Sequence, residues 1–93
     1  MTENQRQFPR HSLQIEVELQ FLEDEPRTVI TKNVSHGGLF LKLRNAEHYT
    51  MGEMIILNFK DPLEDYINTS KEGIIVRHTD EGIAVAFIEI EGF

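Results

Sequence analysis

Leu13, Ile15, Val17, Leu19 and Phe21 alternate with Gln14, Glu16, Glu18 and Gln20. A period of two sends the apolar set to one face and the polar set to the other, which suits a half-buried β-strand and not the 3.6-residue period of a helix. The acidic cluster Glu23-Asp24-Glu25 and then Pro26 turn the chain around. A second β-branched, alternating run from Arg27 to Val34 follows after so short a link that the two strands must lie antiparallel.

The same punctuation repeats to the end of the chain. Ser35-His36-Gly37-Gly38 breaks the second strand, and Leu39, Leu41 and Leu43 alternate with Phe40 and Lys42 as a third. Residues 44–52 are polar and close on Gly52, reading as a loop. Glu53 to Lys60 is apolar enough for a central fourth strand, ended by Asp61-Pro62. Leu63 to Asn68 crosses over to a fifth strand, Thr69 to Arg77, where Gly73 suggests a bulge or tight bend. Asp80-Glu81-Gly82 is a hairpin turn, and Ile83, Val85, Phe87 and Ile90 mark a sixth strand. Residues 1–10 have no apolar periodicity and hold Pro9, so they read as a flexible N-terminal arm before a domain over 11–93. The expected fold is all-β: a six-stranded antiparallel β-barrel, whose closure leaves no bare sheet edge.

Composition narrows the function. A chain of 93 residues fills one core. It has no cysteine, hence no disulfide and no thiolate site. No apolar run approaches the roughly 20 residues that a membrane-spanning helix needs, and the start lacks a signal peptide's apolar core. A cytoplasmic protein without membrane insertion is expected. The formal net charge of −7 opposes general DNA or RNA binding, which rests on phosphate neutralisation, but permits one small anion. The acid gathers at Glu23 to Glu25, Asp61 to Asp65 and Asp80-Glu81, all expected to be solvated loops. His11, His36, His48 and His78 show no metal-ligand spacing, and no catalytic arrangement is present, so neither an enzyme nor a metal or cofactor site is expected.

Two motifs carry chemistry. Arg6-Gln7-Phe8-Pro9-Arg10 reads RxxxR just before the first strand, with a proline that denies it a helix. Two guanidinium forks spaced along extended chain can grip phosphate, or the O6/N7 edge of guanine, in bidentate fashion. Asn33-Val34-Ser35-His36-Gly37-Gly38 reads NxSxxG at the turn after the second strand. It supplies amide, hydroxyl and backbone N–H groups, and its glycines permit positive φ and close approach of an anion. Alone, RxxxR is usually a pair of solvated charges, and NxSxxG is ordinary turn composition.

Together, in this order and on this strand pattern, the motifs resemble those of the PilZ family, receptors for the bacterial second messenger cyclic di-GMP. Gly82-Ile83-Ala84-Val85-Ala86-Phe87 is similar to the family's closing GxxxxF segment, so the resemblance spans nearly the whole chain. It implies a ligand site that includes Arg6, Arg10, Asn33, Ser35 and Gly38. Gly37 joins them for its backbone N–H, and His36, for its place in the turn, and Arg77, for its positive charge, are the secondary candidates. Asn33 stands where Asp is common in the family and forgoes a charged acceptor. Gln5 stands where members that bind an intercalated nucleotide dimer tend to carry a further Arg, which leaves one or two nucleotides open and leans to one. The chain ends six residues after Phe87, with little room for the terminal helix of many members. The implied function is a cyclic di-GMP receptor or adaptor whose arm orders on the ligand and signals to an effector protein. The alternative is a PilZ-like protein-interaction module that binds no nucleotide.

Overall fold

A computed structural model describes residues 9–88. The strands are β1 (Glu16–Phe21), β2 (Arg27–Ser35), β3 (Gly38–Lys42), β4 (Met54–Asp61), β5 (Ile67–Thr79) and β6 (Gly82–Phe87), with one 3-10 turn at Ala46–His48. Every pairing is antiparallel, and the order around the sheet is β1-β2-β3-β6-β5-β4. Val17 pairs with Val29 on β2 and with Phe59 on β4, so β1 closes the barrel. The expected all-β, six-stranded antiparallel barrel is what the chain forms.

Alternation decides the interior. Val17, Leu19, Leu41, Ile55, Leu57, Ile75, Ile83 and Val85 point inward and are almost wholly buried. Their neighbours along each strand face out, as the pleat requires. Burial of such side chains contributes about 1.5–3 kcal/mol each relative to exposure.

The first strand is shorter than its alternation. Regular pairing begins at Glu16, because the buried Thr31 side chain takes the place of ladder bonds next to Leu13 and Ile15. Its Oγ1 donates to the Leu13 carbonyl at 2.7 Å and accepts from the Ile15 N–H at 3.0 Å. The Thr31 N–H in turn donates to the Ile15 carbonyl at 3.0 Å. One step further out, His11 and Val34 form an isolated antiparallel bridge.

Other departures have equally local causes. The irregularity expected at Gly73 lies further on, between Ile75 and Arg77, while Gly73 itself pairs regularly with Ile55 and Phe87. Gly73 is needed for proximity: a Cβ there would sit 2.4 Å from Val85 Cγ1. The polar stretch 44–52 contributes Tyr49, which is buried, packs edge-on against Phe21 and His48, and accepts a hydrogen bond from Arg27 Nη1 at 3.0 Å. Asp61 departs from the solvated-loop expectation for the acidic clusters. It is buried at the end of β4, where its carboxylate accepts from the Leu63 N–H at 2.9 Å and starts the turn into β5.

Candidate functional site

Two β-bulges shape the outer surface of β2 and β5. Register shifts between Thr31 and Asn33 on β2, and between Ile75 and Arg77 on β5. An extra residue at each place turns two successive side chains to the same side. Thr31 and Val34 are buried, while Lys32 and Asn33 between them both face out. Val76 and Arg77 are exposed side by side in the same way. The pairing then aligns Asn33, Phe40, Ala84 and Arg77 in one row across β2, β3, β6 and β5.

Above this row lies a cavity of about 440 Å³ lined by Arg10, Lys32, Asn33, Phe40, Arg77, Thr79, Asp80 and Glu81. Phe40 is its floor. The ring alternates outward between Leu39 and Leu41 and stands outside the interior cluster, yet only 6% of it is exposed. Lys32 Nζ lies 5.8 Å from its centroid, within the reach of a cation–π contact. Arg10 arrives because the His11–Val34 bridge docks the preceding chain beside β2. Three cations and one neutral amide thus ring an aromatic floor, a combination suited to an anionic ligand with a planar base.

Two carboxylates on the cavity wall, Asp80 and Glu81, oppose them. Glu81 is ion-paired with Lys32. The hydrogen bond from Lys32 and then its charge hold the Glu81 carboxyl below its ordinary 4.5, with a smaller contribution from Lys42.

Of the motif residues, Arg10 and Asn33 share this cavity, and so does the secondary candidate Arg77. Asn33 and Ser35 are not in a turn; both belong to β2, with Asn33 opposite Phe40 and Ser35 opposite Gly38. The turn itself is only His36-Gly37. Ser35 Oγ holds it, accepting from the Gly37 N–H and donating to the Gly38 carbonyl, both at 3.2 Å. Gly37 and Gly38 do not adopt the positive φ expected of them; among the described glycines that backbone occurs at Gly52 and Gly82. Gly38 serves close approach instead, since a Cβ there would lie 2.2 Å from the Val85 carbonyl oxygen. Ser35, His36, Gly37 and Gly38 lie at the end of the hairpin and do not line the cavity; His36 Nε2 is 3.5 Å from a Glu64 carboxylate oxygen. Arg6, Gln5 and Ile90 lie outside the described residues, as does most of the segment read as a flexible arm.

Sequence reasoning missed Lys32 and Phe40. Each sits inside an ordinary strand pattern, and only the bulge places them beside Asn33. A larger depression of about 720 Å³ on the outer faces of β1, β4 and β5 has Glu16 and Glu18 against Lys60 on its walls. That charge balance suits an anion poorly, so the smaller cavity is the better candidate. Among the described residues no His, Asp and Glu cluster is placed to hold a metal ion, and no helix is long and apolar enough to cross a membrane.

Comparison with known proteins bears on this arrangement. A curated zebrafish protein (Danio rerio), macrophage colony-stimulating factor 1 receptor, is 43% identical over 60 residues, which are 63% of this chain but 6% of that protein. A match to so small a part carries nothing of the receptor's activity to this chain. The solved structure of Bacillus subtilis inhibitor of motility (MotI/DgrA) superposes with a TM-score of 0.78 at 21% identity, over 95% of this chain and 44% of that one. The chain thus spans less than half the length of that protein, and the likeness establishes a shared barrel. The family profile described as PilZ domain matches residues 4–92, taking in both motifs, the barrel and the bulge that carries Asn33. By that match over nearly its whole length, the chain belongs to the PilZ domain family.

Proposed function

We propose that this protein is a cytoplasmic cyclic di-GMP receptor that binds the dinucleotide on the outer face of β2, β3, β6 and β5 and passes the signal to an effector protein. One observation carries the reading: Arg10, Lys32 and Arg77 surround Asn33 above the Phe40 ring. Cyclic di-GMP is a dianion bearing two guanines, so a receptor needs cations for phosphate, planar groups for stacking and amide groups for the base edges. Guanidinium serves the first two and the Asn33 amide the third. Arg6, four residues before Arg10 in the RxxxR motif, supplies a second fork when the ligand draws residues 1–10 over the cavity. Ordering that segment costs conformational entropy, which charge-assisted bonds to phosphate offset. Ser35, Gly37 and Gly38 act by holding the hairpin that sets Asn33 in place, and the effector meets the surface formed when the segment orders.

Isothermal titration with cyclic di-GMP, GTP and single-stranded DNA tests this reading. Binding of cyclic di-GMP with much weaker binding of GTP is expected, because only the cyclic dinucleotide presents two guanines and two phosphates together. Equal affinity for GTP, or heat only with DNA, overturns it.

A further inference from the structure

Lys32 lies outside both sequence motifs, yet the β2 bulge seats it directly beside Asn33 in the cavity. Its ammonium is already engaged by Glu81. That carboxylate does not hang from a loose loop. The Glu81 N–H donates to Thr79 Oγ1 at 3.0 Å, and the Glu81 carbonyl accepts from the Leu43 N–H at 3.0 Å. Gly82 next to it fits only as glycine, since a Cβ would meet the Leu41 carbonyl oxygen at 1.8 Å. The two-residue turn between β5 and β6 is therefore fixed to the end of β3 and presents Glu81 to the cavity from a held backbone.

We propose that Lys32 is a phosphate-binding residue of this site and that Glu81 is its built-in competitor, an internal anion that the nucleotide phosphate displaces. This rests on the reading of the cavity as a cyclic di-GMP site. The physical argument concerns charge and exclusion. A phosphate that takes the Lys32 ammonium, in a space of about 440 Å³, must first displace the Glu81 carboxylate bound to it, so the two anions compete for one cation. Both partners of the pair are about half exposed, so water can solvate the released carboxylate and exchange is inexpensive. The lowered pKa of Glu81 supports the pairing. Its consequence is a receptor held below its maximal affinity, with Glu81 setting the ligand concentration at which it fills.

A double-mutant cycle with cyclic di-GMP as the titrant tests the proposal on the full chain. Lys32→Ala should weaken binding about tenfold, the effect of a lost hydrogen bond to a charged group. Glu81→Gln should tighten binding about two- to fivefold, in the range of an exposed ion pair. In the Lys32→Ala background, Glu81→Gln should lose most of that gain, because the competitor then has nothing to release. Thermal melts of all four proteins establish that each is folded. Binding by the parent with no effect of Lys32→Ala, or an equal gain from Glu81→Gln in both backgrounds, overturns the proposal and leaves the nucleotide reading standing. No binding by any of the four overturns both.

Discussion

His11 and Val34 exchange both of their backbone hydrogen bonds, each at 2.9 Å. That reciprocal pair lies beyond the regular β1–β2 ladder and delivers the end of the RxxxR motif to a fixed place. Arg10 precedes His11, and Asn33 precedes Val34, so one backbone contact joins the two motifs. The link depends on the spacing of the chain between His11 and Glu16, where Thr31 replaces the missing ladder bonds. Barrel stability and site geometry therefore meet at one buried hydroxyl.

Thr31→Val should separate these roles from simple packing. The change keeps the branched shape but strands the Leu13 carbonyl and the Ile15 N–H beside an apolar methyl. Leaving buried polar groups unpaired costs about 1–3 kcal/mol. Urea denaturation should show a lower midpoint with an unchanged slope, and cyclic di-GMP affinity should fall as the His11 bridge loosens. Unaltered stability would mean that the hydroxyl is not the latch.

Gly38→Ala is predicted to damage the barrel seam before the site. The added Cβ would stand 2.2 Å from the Val85 carbonyl oxygen and 3.2 Å from Ala86 Cα, both backbone atoms of β6 that cannot move alone. Forcing β3 and β6 apart should cost about 1–3 kcal/mol, the usual range for overpacking. A melting temperature equal to that of the parent would count against the close approach.

Much of this architecture was legible because alternation is a direct statement about faces. Val17, Leu19 and Phe21 declared the barrel interior, and Asp80-Glu81-Gly82 declared the last hairpin. The bulges were not legible. A bulge inserts one residue without disturbing composition, so Lys32 reads as the polar member of a strand pair and Asn33 as part of a turn. Phe40 was hidden for a related reason: an aromatic residue on the outer face looks like any strand residue until its neighbours are known. Tyr49 was hidden because a polar loop gives no sign that one of its residues joins the buried core. Thr31 carried no signal at all, since its function is set by Leu13 and Ile15 eighteen and sixteen residues away.

The Glu81 carboxyl should titrate below 4.5 in the folded protein and return toward it in Lys32→Ala. The sign of the stability effect follows. A depressed folded pKa means that the pair's stabilising contribution is fully present above 4.5 and is lost as pH falls from there through the folded value. The contribution is small because the pair is solvent-exposed. Carbon-13 titration of the side-chain carboxyl measures the value directly, and identical values in parent and variant would show that Lys32 is not the cause.

Arg10→Ala separates the arginine motif from diffuse attraction. Arg10 is exposed and outside the interior, so its loss should leave the melting temperature of the free protein unchanged. Cyclic di-GMP binding should weaken by roughly 1.5–3 kcal/mol, about ten- to a hundredfold, the range for hydrogen bonds to charged groups. Asn33→Ala should weaken binding less, because a neutral amide contact contributes about 0.5–1.5 kcal/mol. Lys60→Ala is the control, equal in charge change but placed on the wall shared with Glu16 and Glu18 on the outer faces of β1, β4 and β5. Raising the salt concentration should shrink any long-range contribution of either cation, while a direct Arg10–phosphate bond persists. If Lys60→Ala weakens binding as much as Arg10→Ala, the attraction belongs to the whole surface and the cavity above Phe40 is not the receptor site.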